Sequence, residues 1–252
     1  MLPTIGALLV ASSVAAQAPR VVDFPTRPGV TQRILYLPAP DAKAAAILFA
    51  GGHGGLAIDA AGNFGWGRGN FLVRSRALFV ERGVAVAVID APSDKLPQGL
   101  GGFRQTPEHA ADVRAVVAWL GNETKRPVWL VGTSRGTQSA AAAALAGVGA
   151  DGVVLTSTVL YELRGRPVNA MPVERLAMPV LVVHHKGDVC AGSPYSLAPA
   201  LAEKLTGASR KAFVTFDGGR NEGDPCEAFA YHGYNGIEPQ VVDAIVAFML
   251  AR

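Results

Sequence analysis

The feature that most constrains the fold is a series of short apolar runs, each separated from the next by a helical pattern. Clear examples are "AAAILFA" (44–50), "VAVAVID" (84–90) and "PVLVVHH" (179–185). A strand with one face in water alternates apolar and polar residues, whereas a strand covered on both faces is apolar throughout. The chain therefore predicts an α/β fold with a mostly parallel sheet covered by helices on both faces.

The remaining elements follow the same alternation. The helix that begins after Thr106 has the clearest boundaries, with Thr106 as N-cap, Pro107 in the first turn and Gly121 at the predicted end. In open parallel sheets, functional residues lie in the loops at the carboxyl ends of the strands. Further strands are predicted over 32–38, 127–131, 152–157 and 211–216, and further helices over 70–83, after Ser134, over 196–205 and over 238–250.

Composition limits the domain count and the class of partner. The chain has 252 residues, of which 50% are hydrophobic and 17% charged, which is typical of a globular protein. We expect a single α/β domain over 19–252. The net charge is only +3 and no run of lysine or arginine occurs, so the sequence predicts no nucleic-acid partner and no anionic membrane surface.

The first 18 residues, "MLPTIGALLVASSVAAQA", are typical of a signal peptide. An apolar stretch is followed by small residues that end in an A-x-A cleavage site. We therefore expect export to the periplasm or the medium. The segment lacks the usual positive amino end, so the alternative is a buried or anchoring helix, although it is too short and too rich in serine and alanine to span a bilayer comfortably.

Ser134 stands in "GTSRG", between a predicted strand and an alanine-rich helix. Flanking glycines at 132 and 136 either make an ordinary tight turn or hold a nucleophile on a sharp strand-to-helix elbow. A serine hydroxyl needs a base, and the base needs an orienting acid. Asp188 follows the strand 179–185, and His232 lies in the last loop before the final helix, so both are candidates for these roles.

An oxyanion hole requires two backbone N–H groups near the nucleophile. One would belong to Arg135, the residue after Ser134. The other would come from the loop "GGHGG" after the strand 44–50, where Gly52 and His53 are the candidates. The alternative for this loop is a plain glycine-rich turn.

These residues together give the chain a family resemblance. With Ser134 in "GTSRG", Asp188 in "KGDVC", His232 in "YHGYNG" and the loop "GGHGG", the sequence resembles the α/β-hydrolases, in particular exported bacterial members, over nearly all of residues 19–252. In that family an inserted lid often follows the sixth strand. Only residues 158–178 separate the corresponding strands here, so we expect no large lid and an open site, which disfavours a lipase for long acyl chains.

The resemblance implies a serine hydrolase that cleaves carboxylic esters through a Ser134–His232–Asp188 triad and an acyl-enzyme. The alternatives are a peptidase or amidase of the same fold, or a non-catalytic binding protein. Asp217, Glu222 and Asp224 are alternative acids, although they read more readily as turn residues.

The expected partner is a small-molecule ester, and no cofactor is expected. No metal is expected either, because the adjacent histidines His184 and His185 would point to opposite faces of a strand and the two cysteines form no C-x-x-C pair.

The two cysteines, Cys190 and Cys226, lie close in sequence to Asp188 and His232. An even count in an exported protein suggests a disulfide, although two unrelated buried thiols are the alternative. Cys190 lies two residues after Asp188, and Cys226 lies six before His232, so a bridge would tie the acid loop to the base loop.

Several other side chains are left open by the sequence. Trp66, Phe64 and Phe103 would either line a substrate pocket or pack their loops onto the body of the protein. Arg135 would either attract a carboxylate or pair with an acidic neighbour, and Arg104 and Lys186 are equally ambiguous.

Overall fold

An eight-stranded sheet is the centre of this computed structural model, which describes residues 18–96, 98–161 and 165–251. The predicted signal peptide, residues 1–18, lies outside the described residues except for Ala18. The strands, in chain order, are β1 (Arg20–Arg27), β2 (Val30–Leu37), β3 (Ala44–Phe49), β4 (Val84–Ile89), β5 (Val128–Thr133), β6 (Gly152–Thr156), β7 (Val180–His185) and β8 (Lys211–Phe216).

The strand order is β1-β2-β4-β3-β5-β6-β7-β8. The pairs β1–β2 and β2–β4 are antiparallel, and all the other pairs are parallel. The expectation of a mostly parallel sheet is therefore confirmed. Because β3 and β5 are neighbours, with Phe49 opposite Gly132, the loops that follow these two strands meet at one edge of the sheet.

Within the described ranges, six α-helices cover the two faces of the sheet. One face packs against α3 (Pro107–Thr124), α4 (Gly136–Leu145) and α5 (Ala198–Lys204), and the other packs against α1 (Phe71–Arg74), α2 (Arg76–Glu81) and α6 (Glu238–Leu250). The residues of β3 alternate between the two layers, so that Ile47 belongs to the first core and Leu48 to the second. Burial on both faces explains why the strands are apolar throughout.

Strand β1 was not predicted from the sequence. It lies at the edge of the sheet, none of its residues is fully buried, and it joins β2 through a turn in which Gly29 has a φ of +70°. A strand of this kind lacks the apolar run on which the prediction rests.

Two predicted helix boundaries also differ from the structure. Helix α3 begins as predicted, with the Thr106 hydroxyl accepting from the His109 N–H, but it continues past Gly121 to Thr124 because Lys125 takes the left-handed conformation that ends it. The segment predicted as one helix over 70–83 is divided at Ser75 into α1 and α2.

In its described part, the connection between β6 and β7 contains no large lid. Its described part forms two short 3₁₀ turns, Val168–Ala170 and Val173–Arg175, in which Val168 and Val173 are buried against the body of the protein. Across the described ranges, no helix is both long and apolar enough to cross a bilayer.

Candidate active site

Ser134 lies on a sharp turn between β5 and α4. Its φ is +51°, in the left-handed region that side chains other than glycine rarely adopt. Three hydrogen bonds to the Ser134 backbone hold the turn. The Ser134 N–H donates to Thr156 O (3.0 Å), and Ser134 O accepts from both the N–H and the hydroxyl of Thr137 (2.9 and 2.6 Å). Strain held in place by its surroundings in this way is typical of functional sites.

The flanking glycines are required by space. A Cβ on Gly136 would lie 2.0 Å from Phe49 O, and one on Gly132 would lie 2.5 Å from Gly136 O. Any larger residue would therefore push the first turn of α4 away from the ends of β3 and β5. Of the two interpretations that the sequence allowed, this geometry favours the elbow over an ordinary turn.

His232 and Asp188 meet next to this elbow. His232 Nδ1 lies 2.9 Å from Asp188 Oδ2, and both side chains are buried. Because a carboxylate only accepts hydrogen bonds, Nδ1 carries a proton, and the lone pair of a neutral His232 would therefore be on Nε2. His232 Nε2 is buried and has no hydrogen-bond partner among the described residues.

The Asp188 carboxylate is ionised although it is buried. Burial would raise its pKa, but hydrogen bonds from His184 and His232, together with the positive charge that His232 can carry, lower the pKa to about 2. The Cys190 N–H adds a further donor, 3.0 Å from Oδ1. The carboxylate thus acts as an anion that several loop and strand groups share.

Two of these groups, His184 and Ser193, were not predicted as site residues. His184 Nε2 lies 2.8 Å from Ser193 O and 3.4 Å from Asp188 Oδ2, so this nitrogen carries the proton. Ser193 Oγ lies 3.0 Å from His232 Nδ1 and 3.4 Å from Asp188 Oδ2. The position of His184 at the carboxyl end of β7, just before the acid, was the signal that could have identified it.

The backbone around His232 is fixed by groups from three other elements. His232 O accepts from the Ser157 hydroxyl (2.7 Å), directly after β6, and Gly233 O accepts from Arg74 Nη2 (2.5 Å). The Tyr234 hydroxyl donates to Val183 O of β7 (2.9 Å). These contacts hold the backbone of His232, a loop residue, against the edge of the sheet.

A disulfide joins Cys190 to Cys226, as the sequence predicts, with 4.6 Å between the two Cα atoms. It connects the acid loop (residues 186–194), which follows β7, with the base loop (residues 217–237), which follows β8. Because Asp188 and His232 lie one in each loop, the covalent link acts on the same pair of loops as their hydrogen bond.

The loop after β3 lies beside Ser134. A Cβ on Gly51 would be 2.9 Å from Ser134 Cβ, which shows how closely this backbone approaches the elbow. Neither the Gly52 N–H nor the His53 N–H has a hydrogen-bond acceptor among the described residues. The third expected donor, the Arg135 N–H, belongs to the N-cap residue of α4, where the helix dipole favours negative charge.

Two cavities meet at Ser134 and Gly52. The Tyr161 cavity, about 600 Å³, extends towards the acid loop, and the Trp66 cavity, about 470 Å³, extends towards the base loop and contains His232 in its wall. The Tyr161 cavity is lined by Ser134, Arg135, Val159, Tyr161, Ala191 and Ser193, and the Trp66 cavity by Ser134, Trp66, Arg68, Asn70, Phe229 and His232.

The alternative acids make other contacts, although Glu222 and Asp224 also line the Trp66 cavity. Asp217 pairs with Lys186 at 2.9 Å and is 76% exposed, which also accounts for that lysine. Glu222 lies 3.5 Å from Arg220, and an oxygen of Asp224 accepts from the Cys226 N–H. None of these contacts is with His232.

Of the three aromatic residues left open by the sequence, Trp66 lines a cavity. Phe64 is buried, with the Arg76 guanidinium over its ring, and Phe103 packs on His109. In the described ranges, no group of three or more histidine, cysteine, aspartate or glutamate residues is arranged to hold a metal ion.

Similar solved structures share the architecture of the chain at low sequence identity. Est1E from Butyrivibrio proteoclasticus is 17% identical with a TM-score of 0.59, over 92% of this chain and 98% of that one. Dienelactone hydrolase from Anabaena variabilis is 16% identical with a TM-score of 0.60, over 92% and 97%. A putative alpha/beta hydrolase from Agrobacterium tumefaciens is 16% identical with a TM-score of 0.61, over 92% and 94%. No protein-family model matches the sequence, and a search of curated proteins found no match.

Replacing both cysteines tests the contribution of the disulfide. We expect Cys190→Ala/Cys226→Ala to lower the free energy of unfolding by roughly 3–4 kcal/mol, because the bridge spans 36 residues of sequence and restricts the unfolded chain. Urea unfolding of both proteins measures the difference. If the disulfide forms, the unfolded, unreduced wild type contains no thiol that reacts with Ellman's reagent. Two reactive thiols would contradict the disulfide.

The low pKa of Asp188 predicts a pH-dependent loss of stability. The folded-state pKa lies below the ordinary value of 3.8, so the contribution is complete above that value and is lost as the pH falls towards about 2. We therefore expect wild type to exceed Asp188→Asn in stability at about pH 5 and the gap to shrink steadily towards about pH 2. Urea unfolding between about pH 5 and about pH 2 measures this difference in the free energy of unfolding. Glu203→Gln, which changes an exposed carboxylate on α5, is the matched control, and a gap independent of pH would contradict the assignment.

Proposed function

We propose that this chain, which has the α/β-hydrolase fold, is a serine hydrolase that cleaves carboxylic esters. One observation carries the proposal. His232 is oriented by the buried Asp188 carboxylate and lines the cavity that also contains Ser134, and its Nε2 has no hydrogen-bond partner among the described residues. A neutral imidazole with a free lone pair next to a serine on a strained turn is the arrangement that general-base activation of a nucleophile requires.

In the proposed reaction, Ser134 Oγ attacks the ester carbonyl while its proton moves to His232 Nε2. Asp188 holds the tautomer with Nδ1 protonated and stabilises the imidazolium that forms. The N–H groups of Arg135 and of Gly52 or His53 would bind the developing oxyanion. His232 then gives its proton to the leaving alcohol, and a water molecule activated by His232 releases the acid from the acyl-enzyme.

The surroundings of Ser134 favour an ester with an apolar group on each side of the scissile bond. The two cavities leave room for an acyl part and an alcohol part. Five large hydrophobic side chains of the described residues are exposed, and three of them, Trp66, Tyr161 and Phe229, line these cavities. Exposed apolar side chains gathered around a cleft mark a binding site. Est1E from Butyrivibrio proteoclasticus, one of the similar structures, has been solved with ferulic acid bound, which agrees with a ligand of this kind.

We also infer that the protein is exported. A disulfide persists in oxidising compartments and is rare in the cytosol of mesophiles. The covalent pairing of Cys190 with Cys226, together with the signal-like residues 1–18, supports an exported enzyme.

Kinetics on p-nitrophenyl esters test the proposal. We expect Ser134→Ala and His232→Ala each to reduce kcat by about 10⁴-fold or more, and Asp188→Asn by about 10³-fold or more, because the three groups act as a unit. The exposed Ser196→Ala is the matched control and should keep wild-type rates. Full activity in Ser134→Ala would contradict the proposal.

The same assay distinguishes the alternatives. A matched p-nitroanilide should be cleaved far more slowly than the ester, since an amide demands more assistance to its leaving group. Faster cleavage of the anilide would favour an amidase. Absence of turnover on a panel of esters and amides would favour a binding protein.

Substitutions in the two cavities test the substrate class. We expect Phe229→Ala and Tyr161→Ala each to reduce kcat/KM about 3- to 10-fold for a p-nitrophenyl ester with a phenylpropanoyl or octanoyl group, because part of an aromatic contact is lost. The reduction should be less than twofold for the acetate, which is too small to reach either ring. Equal losses on both substrates would contradict a binding role.

A further inference from the structure

Arg104 is a buried cation with no carboxylate partner among the residues that the structure describes. It is 2% exposed, and its guanidinium donates to Ser139 Oγ (2.9 Å), Gly52 O (3.2 Å) and Ala50 O (3.3 Å). No carboxylate of the described residues lies within 4.0 Å of its nitrogen atoms. Buried charges are normally paired, because removing an ion from water is costly. The contacts of this arginine are instead with two backbone carbonyls and one hydroxyl.

The charge is retained at neutral pH. Burial, and to a smaller degree the nearby charge of Arg135, lower the pKa of Arg104 to about 9, which leaves the guanidinium protonated. The adjacent His109 does not compensate for it. Burial together with the charges of Arg104 and Arg27 lowers the pKa of His109 to about 3, so this imidazole is neutral. The neutral His109 leaves the positive charge of Arg104 in place, and this charge lies against the two carbonyls that Arg104 contacts.

Those carbonyls belong to the loop beside the nucleophile. The peptide that joins Gly51 to Gly52 lies between the two peptides whose oxygens, Ala50 O and Gly52 O, are bound by Arg104. Because peptides are planar, fixing both neighbours also restricts the direction of the Gly52 N–H between them. Gly52 lines both cavities together with Ser134, whereas His53 lines neither of them, and its ring packs at a tilt against Trp66 with 3.9 Å between ring centroids.

We propose that Arg104 is the positioning residue of the oxyanion hole, and that it directs the Gly52 N–H towards the substrate while placing a positive charge behind the loop. The inference rests on the proposed hydrolase function. Because Arg104 binds the carbonyls of the two flanking peptides, it acts on the direction of the Gly52 N–H that lies between them. In a buried site the guanidinium also stabilises negative charge that develops on the ester oxygen.

The test compares Arg104→Met, which removes the charge at similar volume, and Arg104→Lys, which keeps the charge but loses the planar fork. We expect Arg104→Met to reduce kcat about 30- to 100-fold with KM within threefold of wild type, because the lost interactions act on the transition state. The kcat of Arg104→Lys should lie between the values for wild type and for Arg104→Met. Arg114→Met removes an exposed arginine of α3 that bonds only to Ala146 O, and is the matched control.

Affinity for phenylboronic acid, which forms a tetrahedral adduct with an activated serine, distinguishes positioning from a merely structural role. Its dissociation constant should rise in Arg104→Met by a factor similar to the loss in kcat. A folded Arg104→Met with wild-type kcat, or with reduced kcat but unchanged boronate affinity, would overturn the inference. If Arg104→Met does not fold, Arg104→Lys is judged by the same two measurements.

The wild-type enzyme provides a measurement that needs no variant. A crystal structure of the phenylboronic acid adduct should place a boronate oxygen within hydrogen-bond distance of the Gly52 N–H, with Arg104 still bound to Gly52 O. A boronate oxygen held without Gly52 would overturn the inference. A wild type that neither turns over esters nor binds the boronate would overturn the proposed function itself, so the two failures are distinguishable.

Discussion

The site depends on one buried anion, the Asp188 carboxylate. It collects donors from the end of β7, from its own loop and from the base loop, and these donors keep it ionised where burial alone would favour the neutral acid. The Asp188–His232 contact joins the loops that follow β7 and β8. The carboxylate gives them a shared electrostatic centre, and the disulfide restrains the same two loops covalently. The anion orients the His232 ring and keeps Nδ1 protonated, while Ser157, Arg74 and Tyr234 hold the backbone around it.

The charges on the two sides of Ser134 suit the proposed chemistry. Asp188 provides a buried negative charge on the side of the base, and Arg104 provides a buried positive charge behind the loop of the proposed oxyanion hole. In ester cleavage, positive charge develops on the imidazole while negative charge develops on the substrate oxygen. Fixed charges of opposite sign on these two sides favour that separation without requiring reorientation during the reaction.

Much of this arrangement could be predicted from the sequence because it depends on local pattern. Apolar runs between helices indicated the parallel sheet, and the spacing in "GTSRG" indicated the elbow. The position after a strand made Asp188 a candidate, and the last loop before the final helix made His232 one. The edge strand β1 was not predicted, because its pairing is set by β2 and not by its own burial.

The supporting groups could not be predicted in the same way, because their roles arise from contacts between distant segments. Ser157 holds the backbone of His232 across 75 residues of sequence, and Arg104 reaches Gly52 across 52. Neither contact leaves a periodic or spaced motif in the chain. The polar residues at the strand ends, such as His184, were visible in the sequence, but only the fold shows which of them face the acid.

The most direct test of the central idea is labelling of the folded protein with a fluorophosphonate probe, followed by peptide mass spectrometry. The account predicts a single adduct on Ser134 in the wild type and the loss of that adduct in His232→Ala. An adduct on another serine, or equal labelling of Ser134 with and without His232, would contradict an activated nucleophile at the elbow.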